Sequence, residues 1–246
     1  MSATDLPLVE SQAVTSSAGR PWGFWPTVGL SLAIVFVAVC VETMVTLGYM
    51  VFRPGILSTD DGMLVALTVL AGAIVVPLSC LGCAALKKGI SVRDYFALYS
   101  VPLKQLLAWL GIAIVLAVAT DLVTGVGKIE QWQENTYRSA TFKPLLWLAV
   151  VVGAPLTEEF FFRGFLFVGL WKSRLGGIGA ILVTSLLWAA THTQYTLTSI
   201  VSIFALGLVL GYARIRTGSL VVPIAMHSLT GFLAILETAI LLHIRS

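Results

Sequence analysis

Met63-Leu-Val-Ala-Leu-Thr-Val-Leu-Ala-Gly-Ala-Ile-Val-Val-Pro-Leu-Ser-Cys-Leu-Gly-Cys-Ala-Ala-Leu86 contains no charged side chain, and Lys87-Lys88 follows it directly. A helix needs about 20 predominantly apolar residues to cross a hydrocarbon core of about 30 Å. This run is long enough, and the two lysines mark where it meets water. Similar stretches lie at 26–51 and 105–126, and further ones at 144–170, 176–193, 198–213 and 218–243. The fifth and sixth of these seven are short and close together, and they also read as a broken or strongly tilted pair. The fold class that follows is all-α: a polytopic integral membrane helical bundle of about seven spans.

Composition agrees. Hydrophobic residues make up 58% of the chain and charged ones 11%, against roughly 25% charged in a soluble domain. Mean hydropathy is +0.95. So few charges cannot cover a water-soluble surface, which excludes a disordered chain, a nucleic-acid-binding module and an ordinary soluble enzyme. Three cysteines make no disulfide framework. Four segments are expected: a polar tail at 1–25, N-terminal transmembrane helices at 26–126, a polar loop at 127–143 and a core of transmembrane helices at 144–246. The tail carries Asp5 and Glu10 before any base, and the apolar stretch after it is of span length, so the first span reads as retained rather than as a cleaved signal. With the N-terminus inside, the inner segments hold Arg20, Lys87, Lys88, Arg93, Lys104, Lys172, Arg174, Arg214 and Arg216. The outer ones hold Arg53, Lys128, Arg138, Lys143 and Arg245. Nine against five favours a cytoplasmic N-terminus. Residues 87–104 mix bases with Tyr95, Phe96 and Tyr99, a composition suited to the inner interface.

Ionisable residues inside spans are costly and point to function. Glu42, Asp121 and Glu237 each stand alone, and interhelical packing contacts would account for them. Cys80 and Cys83 form C-x-x-C inside an apolar span, which reads as small-residue packing. The segment Ala154-Pro-Leu-Thr-Glu158-Glu159-Phe-Phe-Phe-Arg163-Gly164 differs, because two carboxylates and a guanidinium share it. Glu159 and Arg163 are four apart with the acid first, the favoured order for an ion pair along a helix. Glu158 points about 100° away and is left over. A carboxylate unpaired in an apolar setting suits a general base or proton carrier. Downstream, Trp188 and His192 share a helix face, and His227 lies in the last span. Straight, full-length spans place Glu158 and His192 at different depths, a conflict that tilted spans or shifted boundaries would remove.

The order Glu158-Glu159-Phe-Phe-Phe-Arg163, Trp188-Ala-Ala-Thr-His192, His227-Ser-Leu-Thr-Gly231 resembles the CPBP intramembrane endopeptidases. That family includes CAAX prenyl proteases and proteins of bacteriocin processing and self-immunity. Its pattern is Glu-Glu-x-x-x-Arg, Phe-x-x-x-His, His-x-x-x-Asn, and the resemblance covers roughly residues 144–232. It implies a metal-independent, cofactor-free peptidase in a bacterial inner membrane. Its substrate would be a membrane or lipidated protein, cut without any nucleic-acid partner. Carried over, Glu158 with His192 would activate water, Glu159 and Arg163 would hold the helix geometry, and His227 would stabilise the oxyanion.

Two positions depart from the pattern. Trp188 replaces Phe and keeps an aromatic ring. Gly231 replaces Asn and removes an amide; losing such a donor costs about 10²–10³ in rate in other oxyanion holes. Among nearby hydroxyls, Thr230 is better placed around the helix than Ser228 to stand in. Three rival readings follow: a zinc protease, although no H-E-x-x-H is present; a catalytically weak or inactive scaffold or immunity factor, for which Gly231 speaks; and a proton-coupled transporter, for which no internal repeat speaks.

Overall fold

A computed structural model of the chain describes residues 19–53 and 58–245. Residues 1–18 of the expected polar tail lie outside the described residues. Nine helices, numbered here in chain order, make up the described part: α1 Phe24–Phe52, α2 Gly62–Ala85, α3 Val92–Phe96, α4 Leu103–Thr124, α5 Gln131–Ser139, α6 Lys143–Trp171, α7 Gly176–Ala190, α8 Leu197–Thr217 and α9 Val221–Ile244. No strand occurs among the described residues. Six of these helices are long and apolar enough to cross a membrane, and α7, with 15 residues, is shorter. The protein is a polytopic helical membrane bundle of about seven spans.

The starts and stops follow local chemistry. The Asp61 carboxylate accepts from the backbone N–H of Met63 (3.1 Å) and Leu64 (2.9 Å), capping α2. Ser91 does the same for α3 through the N–H of Asp94. Gly218, at φ 62°, ends α8 in a left-handed turn. The apolar side chains of α1 face outward, with Leu32, Phe36, Met44 and Phe52 exposed. Apolar surface turned outward is expected where lipid rather than water is the neighbour. Inside, Phe162, Phe167, Trp188, Leu210, Val222 and Met226 form the core among α6 to α9. Cys80 is buried in a second cluster with Ile34, Phe96 and Phe165, and Cys80 and Cys83 are both free thiols, in line with packing.

Helix α6 is not regular. It contains two π-helical turns, Ala149–Gly153 and Phe160–Leu166, on either side of Ala154–Glu159. Pro155 explains the first. It has no N–H, and in a regular helix its ring would meet the carbonyl four residues earlier. One wide turn relieves that contact. The N–H of Ala154 bonds the Ala149 carbonyl, and the Val150 carbonyl lacks the donor that residue 155 would otherwise supply. That carbonyl faces Gly231 of α9: a Cβ there would lie 3.0 Å from it.

Arg214, counted among the bases at the inner ends of the spans, lies in the last turn of α8 and is 4% exposed. Its Nε donates to the Arg163 carbonyl (3.3 Å) and its Nη2 to the Phe96 carbonyl (3.4 Å). The first acceptor belongs to the second π turn and the second to the end of α3. A guanidinium is weakly hydrated and carries donors in a fixed fork, so it can be buried against carbonyls where an ammonium would not be.

Candidate active site

Glu158 and Glu159 end the short α-helical stretch between the two π turns of α6. Glu159 is fully buried, and its Oε1 accepts from Arg163 Nη1 at 2.8 Å and lies 3.0 Å from His227 Nδ1. The i, i+4 pair expected from the spacing is present. A carboxylate can only accept, so Nδ1 of His227 is the protonated nitrogen. His227 Nε2 then faces the other carboxylate, 3.8 Å from Glu158 Oε2. The side chains of Glu158 and His227 keep 23% and 12% of their exposure, whereas Glu159 and Arg163 keep none. One carboxylate is thus committed to structure and the other remains reachable.

Arg163 is fixed from two further sides. Its Nη2 donates to the Gly207 carbonyl of α8 (3.4 Å), and its guanidinium lies 4.4 Å over the Trp188 ring. Glycine is required at 207, because a Cβ there would fall 3.1 Å from Arg163 Nη2 and 2.9 Å from Ser185 Cβ.

Trp188 joins the site. Its Nε1 donates to Glu158 Oε2. Its ring meets His227 edge-on at 5.2 Å and His192 edge-on at 5.3 Å. The expected clash of depths disappears: α7 ends at Ala190, and Trp188, one turn before His192, stands level with Glu158. His192 itself does not bond Glu158. Its Nδ1 lies 2.9 Å from the Trp188 carbonyl, which fixes the proton on Nδ1 and leaves Nε2 as the acceptor. Its ring stacks on Tyr195 (6.1 Å, 17°), and Tyr195 packs edge-on against Trp132 of α5. Burial, with the Glu158 and Glu130 carboxylates nearby, pushes the Tyr195 phenol up.

The polar loop after α4 is tied down near this wall. Glu130 accepts from Thr196 Oγ1 (2.6 Å) and Ser199 Oγ (2.5 Å). Burial works against its ionised form, but these two hydroxyls and Lys128 outweigh that and hold the carboxyl below its usual range. Gln133 reaches the Ala234 carbonyl and Thr238 of α9.

The expected stand-in donor is engaged elsewhere: Thr230 Oγ1 donates to the His227 carbonyl at 2.9 Å, within its own helix. Gly231 supplies no side-chain donor. Among the described residues, no three His, Cys, Asp or Glu side chains gather as a metal-binding group. Sequence reasoning missed Tyr195, and it placed Arg214 just past a span ending at 213 without a role near the site.

Residues 140–233 match the family model described as type II CAAX prenyl endopeptidase Rce1-like. An uncharacterized 24.3 kDa protein of Escherichia coli is 40% identical over 84 residues, which is 32% of this chain and 38% of that relative. The alignment therefore spans little more than a third of the relative's length. No solved structure matches.

Proposed function

We propose, from the match of residues 140–233 to the Rce1-like CAAX endopeptidase model, that the chain is a CPBP/CAAX-type intramembrane endopeptidase using a glutamate-activated water. Glu158 is the general base. It takes a proton from water while the water oxygen bonds the scissile carbonyl carbon. The proton then passes to the leaving amine nitrogen as the C–N bond breaks. His227, held through Nδ1 by Glu159, turns Nε2 toward the same space; in its protonated form it donates from there to the oxyanion. His192 presents Nε2 beside the Glu158–Trp188 pair as a second acceptor for the water. The substrate is a membrane-associated or lipidated protein, cut within the bilayer.

The observation that carries this reading is the division of labour between adjacent carboxylates. Glu159 is buried and paired with both Arg163 and His227, while Glu158 stays partly open beside His227 Nε2. Gly231 favours a second reading, a weak or inactive member that keeps the fold as a scaffold or immunity factor. The missing amide leaves the oxyanion one donor short, and Thr230 does not replace it.

The test compares wild type with Glu158→Gln, purified in detergent, against a membrane-peptide library read by mass spectrometry with and without chelator. Cleavage that survives chelation and is lost in Glu158→Gln supports the glutamate mechanism. Cleavage abolished by chelator supports a metal enzyme, and cleavage by Glu158→Gln at the wild-type rate overturns the role of Glu158. No cleavage by wild type, with activity gained in Gly231→Asn, supports the inactive-scaffold reading.

A further inference from the structure

Resting on that assignment of Glu158, we infer that Trp188 is a positioning residue: its indole N–H pins Glu158 through Oε2 and leaves Oε1 as the oxygen that takes the proton. Trp188 is 2% exposed. A buried indole N–H needs an acceptor, and Glu158 Oε2 is the one it has. The ring has little freedom to turn away. Arg163 lies over its face, and His227 and His192 abut it edge-on. The direction of the N–H is therefore set by groups from α6, α9 and the end of α7 together. Oε2 is engaged by Nε1 and has His227 Nε2 at 3.8 Å, so the two oxygens of Glu158 are not equivalent. A phenylalanine would preserve the ring contacts and lose the donor.

The charged or titratable groups nearest Glu158 are Glu159 and Arg163 on α6, His227 on α9 and Tyr195 beyond α7, with His192 against the Trp188 ring. All of these remain in Trp188→Phe, so a fall in kcat with KM held reports the lost N–H.

Two readouts test this. In ¹⁵N-tryptophan-labelled protein in micelles, Trp188→Phe identifies the Trp188 indole signal among those of the seven tryptophans. Glu158→Gln is expected to move that signal upfield; a signal left in place overturns the hydrogen bond whether or not a substrate is known. In the cleavage assay, Trp188→Phe is expected to lower kcat about tenfold or more with KM within twofold. Benzothienylalanine at 188 keeps the bicyclic shape without the N–H and must reproduce that split. Wild-type kcat in both variants overturns the positioning role. Wild-type cleavage by Glu158→Gln instead sinks the assignment of Glu158 as base, and the indole signal still decides the pairing.

Discussion

Arg163→Met tests whether the Glu159–Arg163 pair holds the site together. The guanidinium is fully buried, 2.8 Å from Glu159 Oε1, and Glu159 is buried as completely. Removing the cation leaves a buried carboxylate whose remaining contact is His227 Nδ1 at 3.0 Å. Breaking one side of a buried ion pair costs about 3–5 kcal/mol. The cation–π contact with Trp188 adds about 1–2 kcal/mol, part of which the methionine sulfur recovers against the same ring. A total loss of about 4–6 kcal/mol is expected. The double variant Glu159→Gln/Arg163→Met carries no buried charge, and its Gln oxygen still accepts from His227. It should lose only about 1–2 kcal/mol. At roughly 2–4 °C per kcal/mol for a chain of this size, the single variant melts about 10–20 °C below wild type and the double about 5 °C below. Thermal unfolding followed by circular dichroism in one detergent measures all four corners of the cycle. Equal losses in the single and double variants, or a loss below about 1 kcal/mol in Arg163→Met, would refute the claim that this pair is coupled and buried.

Other positions carry their own expectations. Gly207→Ala forces a methyl against Arg163 Nη2 and Ser185 Cβ; about 1–3 kcal/mol of stability should go, with cleavage falling too, and an unchanged melting temperature would argue against the close approach of α8. Gly231→Asn places its Cβ against the Val150 carbonyl, so it should melt about 3–6 °C lower even if it gains activity. Glu130→Ala removes the acceptor shared by Thr196 and Ser199, and amide exchange across 128–139 should rise while α2 and α9 stay protected. Asp94 is held below the usual carboxylate range by hydrogen bonds from Tyr99 and Ser91. A lowered folded value means its contribution is present above the ordinary Asp range and fades as pH drops through the lowered one. Tyr99→Phe should therefore shrink the acid-side loss of stability below about pH 4, and an identical acid titration of stability would contradict it.

The bundle was legible because an uncharged run of span length is seldom anything but a membrane helix, and the Glu159–Arg163 pair because i, i+4 geometry is fixed within one helix. What crosses between helices was not. Which histidine faces Glu158 depends on the level at which α7 and α9 pass α6, and that level depends on where α7 stops. Trp188 looked like a change of one ring for another, because the one-dimensional pattern does not show that its N–H has a carboxylate in front of it. The burial of Arg214 could not be read because its acceptors are backbone carbonyls of α6 and α3, which carry no mark in sequence. The π turns, one of which presents an Arg214 acceptor, are hinted at only by Pro155.

The 15 residues of α7 measure about 22 Å at 1.5 Å per residue, against about 30 Å of hydrocarbon. The 21 residues of α8 measure about 31 Å, so the pair is mismatched at the end where 191–196 connects them. Thr191, His192, Thr193, Gln194 and Thr196 fill that shortfall beside α5, where Glu130 holds Thr196 and Trp132 packs on Tyr195. A bilayer answers such a shortfall by thinning, and polar side chains answer it by drawing in solvent. Either response draws water toward the segment that carries His192, and a base that works on water inside a bilayer, as proposed for Glu158, depends on such a supply.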